Sequence, residues 1–206
     1  MMSCSTASAP QSGQSPPTEE ETVVLLHGMG RTQASMLVMS KRFKDAGYQT
    51  LNFPYNQASR SLDKISGKLI EFIKEKVKTS RYHLVAHSLG NVIIRDAFRK
   101  EYPPGLGRIV MLAPPNHPAH LAKRFNKNLL YRWITGDSGQ KLSEEEFYQN
   151  LPIPDAEFGV IAGDKGQKLT FSEPNDGLVP VEGAKLEGMK DFLVLHHAHT
   201  FIMNCK

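Results

Sequence analysis

Ser88 is the residue whose neighbours most clearly indicate chemistry. It lies in the segment Ala86-His87-Ser88-Leu89-Gly90, between a short apolar run and a stretch with helical character. A serine at a sharp strand-to-helix turn exposes its Oγ at the top of a sheet, and the tight turn requires small residues two positions before and two positions after it. Ala86 and Gly90 satisfy that condition. The segment therefore predicts a nucleophile elbow; a serine that only caps the helix is the alternative.

A serine becomes a strong nucleophile when an imidazole accepts its proton and a carboxylate orients that imidazole. The candidate bases follow the last apolar run of the chain: His197 and His199. The candidate carboxylates lie between Ser88 and those histidines: Asp155, Asp164 and Asp176. Residue types for a Ser-His-Asp triad are all present, but spacing alone does not choose among the candidates.

The clustered histidines also raise the question of a metal site. Three of them occur within four residues at 196–199, and His117 and His120 form a further pair. No Cys or carboxylate lies at the customary spacing of a zinc site beside them. We therefore expect no metal and no cofactor.

Short apolar runs alternate with amphipathic stretches from Thr22 onward, and this pattern predicts the strands and helices that carry the candidate residues. Strands are predicted over 23–26, 48–53, 82–86, 109–113, 158–162 and 192–195, and helices over 35–46, 62–77 and 89–101. Such alternation is typical of parallel sheets built with right-handed crossovers. We predict a single three-layer α/β/α domain with a largely parallel sheet of about six strands. In such sheets the chemistry collects at the carboxyl ends of the strands.

The length of 206 residues fits one globular domain. Residues 1–21 are rich in Ser, Pro, Gln and Thr and are predicted to form a disordered tail, which leaves 22–206 for the domain. Between 114 and 154 the alternation lapses, and this excursion forms either a small cap over Ser88 or packing at the sheet edge. Its apolar residues are Leu121, Phe125, Leu129, Leu130, Trp133 and Phe147.

Composition excludes several other classes of protein. The net charge of +4 is small and its bases are scattered among acids, so we expect no nucleic-acid partner. No apolar run approaches the 18 or more residues of a membrane-spanning helix, and the N-terminus lacks the features of a signal or transit peptide. Cys4 and Cys205 are the two cysteines, too few for a disulfide framework. We expect a cytoplasmic protein without an integral membrane segment.

The chain resembles the α/β-hydrolase fold family, in particular its small lipase and serine-esterase branch. The resemblance extends over about residues 22–203 and begins with the A-H-S-x-G form of the elbow around Ser88. Residues 27–30, His-Gly-Met-Gly, are similar to the family's H-G-x-G oxyanion segment. Residues 175–179 are similar to its N-D-G-x-V acid loop, and His199-Thr200 to the motif of its base. Only seven residues follow His199, where family members usually add a final helix, so a truncated chain or cover from a partner subunit stays open.

The resemblance implies a role for each matched residue. Ser88 is the nucleophile, His199 the base and Asp176 the acid, while the backbone N–H groups of Met29 and Leu89 form the oxyanion hole. His197 stays open as the base, and Asp164 is the stronger rival for the acid. The implied activity is hydrolysis of carboxylic esters, either small molecules or lipids, through an acyl-enzyme. An acyltransferase or thioesterase with the same triad, or a catalytically silent binding module, are the alternatives.

Overall fold

The structure is a computed structural model that describes residues 20–56, 61–117, 144–166 and 172–204. Almost all of the predicted tail, both cysteines, His120 and the central part of the predicted excursion lie outside the described residues. The five apolar residues of the excursion before Phe147 lie outside them as well.

Six strands form one sheet, and every adjacent pair is parallel. Their bounds are β1 (Thr22–Leu26), β2 (Gln49–Asn52), β3 (Tyr82–His87), β4 (Leu106–Leu112), β5 (Glu157–Gly163) and β6 (Asp191–Leu195). The order across the sheet is β2-β1-β3-β4-β5-β6, which places β3 near its centre. The predicted fold class, an α/β domain with a parallel six-stranded sheet, is confirmed.

Helices cover both faces of this sheet. The described α-helices are α1 (Leu37–Asp45), α2 (Leu62–Lys76), α3 (Leu89–Ala97), α4 (Glu144–Gln149) and α5 (Val181–Ala184). Two 3₁₀ helices, Gln33–Met36 and Ile202–Asn204, complete the described set. Helices α2 and α3 pack on one face, while Met36, Ile202 and Met203 belong to a second apolar cluster on the other face.

Burial explains why these segments adopt these elements. All five residues of β1 are buried, as a central strand of a parallel sheet covered on both faces requires. Helix α2 buries Leu62, Ile65, Leu69 and Ile73, which recur at helical spacing, and directs its lysines to the other side. Each fully buried side chain of this size contributes about 1.5–3 kcal/mol to folding.

Apart from α2, which ends at Lys76 and not at 77, two helices differ from their predicted bounds. Helix α3 ends at Ala97, before the predicted end near 101. The segment predicted as one helix over 35–46 begins as the 3₁₀ helix Gln33–Met36 and continues as α1. Neither difference moves a candidate site residue.

The described part of the excursion packs against the domain. Tyr148 and Leu151 are buried in the same core cluster as α3, and Phe147 packs against that cluster from its edge. Within the described ranges, no helix is both long and apolar enough to cross a membrane.

Candidate active site

Ser88 lies between the end of β3 and the start of α3, in a backbone conformation that L residues rarely adopt. Its φ is 52° and its ψ is −119°, and its side chain is mostly buried. The surrounding hydrogen bonds hold it there, because its N–H donates to the Leu112 carbonyl at 2.9 Å. Strain of this kind costs on the order of 1–3 kcal/mol and clusters at functional sites. The sharp strand-to-helix turn predicted around Ser88 is therefore present in the backbone.

The small residue at position 90 has a steric reason. A Cβ built on Gly90 would lie 3.0 Å from the His27 carbonyl oxygen and 3.0 Å from the Leu26 Cβ, both on the neighbouring chain segment. Ala86, the small residue on the other side of the turn, is completely buried. The end of β1 thus lies directly against the turn that carries Ser88.

His199 connects Ser88 to Asp176 through two hydrogen bonds. Its Nε2 lies 2.9 Å from the Ser88 Oγ, and its Nδ1 lies 2.7 Å from an Asp176 carboxylate oxygen, Oδ2. Because an ionised carboxylate only accepts hydrogen bonds, Nδ1 carries the proton and Nε2 presents its lone pair to the serine hydroxyl. This tautomer is the one in which an imidazole can remove a proton from serine.

The loop around Asp176 fixes the orientation of that carboxylate. Its second oxygen, Oδ1, accepts the backbone N–H groups of Leu178 at 2.9 Å and Val179 at 2.7 Å. Gly177 adopts a φ of 103°, which lets the loop turn back at this point. The backbone N–H of His199 donates to the Asp176 carbonyl at 2.9 Å, so acid and base are tied through main chain and side chain together.

The rival candidates lie elsewhere. Asp164 follows β5 at the same sheet edge, but its carboxylate binds His196 at 2.8 Å. Asp155 is exposed and precedes β5, at the opposite edge of the sheet from Ser88. The His197 carbonyl accepts the Lys165 N–H at the end of β5. Of all the candidates, Ser88, Asp176 and His199 are the ones that form a continuous hydrogen-bonded chain.

The two expected oxyanion donors belong to the two chain segments next to Ser88. Leu89 is the first residue of α3, where backbone N–H groups have no partner within the helix and the helix dipole favours negative charge. The segment around Met29 follows β1, and a Cβ built on Gly28 would lie 3.1 Å from the Ser88 Cβ. The glycine therefore allows this segment to approach Ser88 closely.

Sequence reasoning missed a pair of aromatic rings that holds the Met29 segment. The His27 ring stacks on Tyr55 with a centroid separation of 4.0 Å, and its Nδ1 lies 2.8 Å from the Gly28 carbonyl oxygen. The Tyr55 hydroxyl donates to the His27 carbonyl. Burial lowers the pKa of His27 from its ordinary value. Nothing in the local sequence links Tyr55 to His27, because the contact spans 28 positions.

Asn91 also supports the elbow. Its side-chain amide, completely buried, donates to the carbonyls of Ser88 at 3.1 Å and Leu112 at 3.2 Å. A polar residue inside the otherwise apolar first turns of α3 was the one sequence signal for this role.

The described residues contain no group of three or more His, Cys, Asp or Glu side chains arranged to hold a metal ion.

Comparisons with known proteins agree on the fold. No protein-family model matches the chain, and no curated protein matches it. Among solved structures, a lipase-esterase related protein from Clostridium acetobutylicum is 14% identical, covers 91% of this chain and 90% of its own, and has a TM-score of 0.58. An α/β hydrolase enzyme from a metagenome of Mar Chica lagoon sediments in Morocco is 18% identical, covers 90% and 85%, and has a TM-score of 0.61.

Esterase B from Lactobacillus rhamnosis is similar as well. It is 13% identical, with 90% of this chain and 69% of that chain covered and a TM-score of 0.61. Together with the parallel sheet and its order, these similarities show that the chain has the α/β-hydrolase fold. The resemblance predicted from the sequence is confirmed at the level of the fold.

Proposed function

We propose that this protein is a serine hydrolase that cleaves carboxylic esters, with Ser88 as nucleophile, His199 as general base and Asp176 as the orienting acid. The observation that carries the proposal is the unbroken hydrogen-bonded chain from the Ser88 Oγ through the His199 ring to the Asp176 carboxylate. Its position at a strained strand-to-helix turn of an α/β-hydrolase fold supports it further. The esterase among the similar structures is consistent with the same chemistry.

The first half of the reaction forms an acyl-enzyme. His199 Nε2 takes the Ser88 proton while the Oγ forms a bond to the ester carbonyl carbon, whose oxygen becomes negatively charged. We assign the stabilisation of that oxyanion to the backbone N–H groups of Met29 and Leu89. When the carbon–oxygen bond to the leaving group breaks, the imidazolium returns its proton to the departing alcohol.

The second half regenerates the enzyme. His199 takes a proton from water, the hydroxide attacks the acyl carbon, and the bond to Ser88 Oγ breaks as the serine recovers its proton. Asp176 stabilises the imidazolium in both halves and keeps it in the productive orientation. This chemistry needs no cofactor or metal.

A comparison of two serine variants tests the proposal. Ser88→Ala should lower kcat for a short aryl ester by about 10⁶-fold, because the nucleophile is removed. Ser61→Ala is the matched control, since Ser61 is exposed at the start of α2 and makes no side-chain capping hydrogen bond. Equal turnover by the native protein and Ser88→Ala would remove Ser88 from the mechanism.

We propose further that the ester carries an apolar part. Leu178 and Phe201 each follow a triad residue by two positions and are 59% and 61% exposed, so large apolar side chains reach solvent beside the acid and the base. A series of aryl esters of increasing acyl length tests this. A kcat/KM that rises with chain length supports an apolar subsite, and indifference to length contradicts it.

A further inference from the structure

His87 is a buried histidine that the proposed reaction does not use. It is the last residue of β3, immediately before Ser88, and its side chain is 3% exposed. Its ring lies between two parts of the site. On one side its Nε2 lies 2.9 Å from the His199 carbonyl oxygen, and on the other a Cβ built on Gly28 would lie 2.7 Å from its Nδ1.

The hydrogen bond to His199 determines the protonation of this ring. A carbonyl oxygen only accepts, so Nε2 carries the proton and donates it, and Nδ1 keeps its lone pair. That Nδ1 is buried and has no hydrogen-bond partner among the described residues. Burial, together with the nearby His199, lowers the pKa of His87 to about 3, so a single neutral tautomer persists near neutral pH.

His199 needs such a partner because of where it lies. It follows β6 in a loop, without strand or helix bonds to fix its backbone. Its N–H is held by the Asp176 carbonyl and its ring by Ser88 and Asp176, which leaves the carbonyl as the remaining polar group of the residue. His87 donates to that carbonyl, and a buried carbonyl left without a donor is unfavourable.

We infer that His87 is a positioning residue: its ring, wedged between Gly28 and the backbone of His199, sets the distance between the base, the nucleophile and the oxyanion segment. The inference rests on the proposed function, since it assigns a role in the same reaction. The side chain acts through the main chain of His199 and touches no reacting atom. Its unpartnered Nδ1 faces the glycine that brings the Met29 segment to Ser88.

Substitutions that place a hydrogen-bond donor at different distances from the backbone distinguish a positioning role of His87 from a role in packing alone. In Gln the amide nitrogen extends about as far as the histidine Nε2, so His87→Gln retains a donor toward the His199 carbonyl. In Asn the amide lies nearer the backbone, at the level of Nδ1, and Leu has no donor at all. His83→Gln is the control, because His83 lies on the same strand but its ring contacts Glu21 and the Arg108 N–H at the opposite end.

We expect His87→Asn and His87→Leu to lower kcat by about 10- to 100-fold with little change in KM, because a base displaced by a fraction of an ångström loses transition-state stabilisation rather than binding. His87→Gln should stay within about threefold of native kcat, and His83→Gln should match the native protein. Native kcat in both His87→Asn and His87→Leu, or a loss in His87→Gln as large as that in His87→Leu, would overturn the inference.

A second measurement needs no turnover. The proton in the short His199–Asp176 hydrogen bond should give a downfield ring N–H signal in the proton NMR spectrum of the full chain. That signal should persist in His87→Gln and broaden or vanish in His87→Asn. If His87→Leu does not fold, this pair still decides, and an unchanged signal in His87→Asn contradicts the inference. Absence of Ser88-dependent turnover in the native protein would instead refute the proposed function, while the NMR comparison would still test the role of His87.

Discussion

Two histidine–aspartate pairs lie at the same edge of the sheet, and they differ in almost everything except their hydrogen bond. His199 and Asp176 are joined at 2.7 Å, and His196 and Asp164 at 2.8 Å. In the first pair the side chains are 8% and 1% exposed, and in the second they are 75% and 36% exposed. The first pair meets the Ser88 hydroxyl, whereas the second lies in solvent beside it.

Residue type and pairing distance alone do not distinguish these two pairs. Water screens an exposed pair, and such a pair typically contributes no more than about 1 kcal/mol. A buried pair with its remaining oxygen satisfied by backbone N–H groups holds one geometry, and its electrostatic effect on a neighbouring hydroxyl is larger because water is excluded. Burial and the position of Ser88 distinguish the two pairs.

Replacing the histidine of each pair should give the largest difference in kcat. His199→Gln removes the group that accepts the serine proton and should lower kcat for an aryl ester by about 10⁶-fold. His196→Gln should retain native kcat within about twofold, because its ring faces solvent. Steady-state kinetics of the two variants measures this, and comparable losses in both would contradict the distinction between the pairs.

Exchanging the acid in each pair should give a smaller contrast. Asp176→Asn keeps an oxygen that can accept from the loop N–H groups but no longer favours the required tautomer of His199, so kcat should fall by about 10⁴-fold. Asp164→Asn serves as its control and should leave kcat near the native value. If Asp164→Asn proved the more damaging of the two, Asp164 would be the acid and the assignment of Asp176 would be wrong.

The smallest expected effect is on the pH dependence of the free energy of unfolding. It concerns His87, which is buried in the same site as the first pair. The pKa of His87 falls from 6.5 to about 3 on folding because of burial, so the unfolded chain binds a proton between these values that the folded chain does not. The free energy of unfolding should therefore fall by about 1.4 kcal/mol per pH unit as the pH drops through this window.

Denaturant unfolding of the native protein and of His87→Gln at several pH values isolates that contribution from those of other groups. The native curve should fall more steeply than the curve of the variant between about pH 6.5 and 3. Parallel curves would show that His87 takes up its proton in the folded state.

The sequence predicted the sheet and the elbow because both depend on local patterns. A largely apolar run such as Thr22–Leu26 is buried on both faces of the sheet, which is the position its composition predicts. The Ala86–Gly90 spacing reflects the steric demand of one tight turn. Both patterns can be recognised within a few neighbouring residues of the chain. The contacts that require Gly90 to be small nevertheless come from Leu26 and His27, at the end of the neighbouring strand.

The pairing of acid and base depends on contacts far apart in the sequence. The course of the chain after β6 determines which histidine lies next to Ser88, and the sequence alone left His197 and His199 as candidates. Asp176 reaches the site because its loop folds back across the end of β5, where a Cβ on Gly163 would lie 2.9 Å from the Asp176 Cβ. The resemblance to a family supplied that choice, and the contacts of His87 and Tyr55 had no local signal at all.

We propose above that the buried pair His199 and Asp176 activates the Ser88 hydroxyl. Reaction with a fluorophosphonate, followed by mass-spectrometric mapping of the modified residue, tests it most directly. We predict a single adduct on Ser88 in the native protein and in His196→Gln, and no adduct on Ser88 in His199→Gln over the same time. An unlabelled Ser88 in the native protein, or equally fast labelling after loss of His199, would show that the buried pair does not activate Ser88.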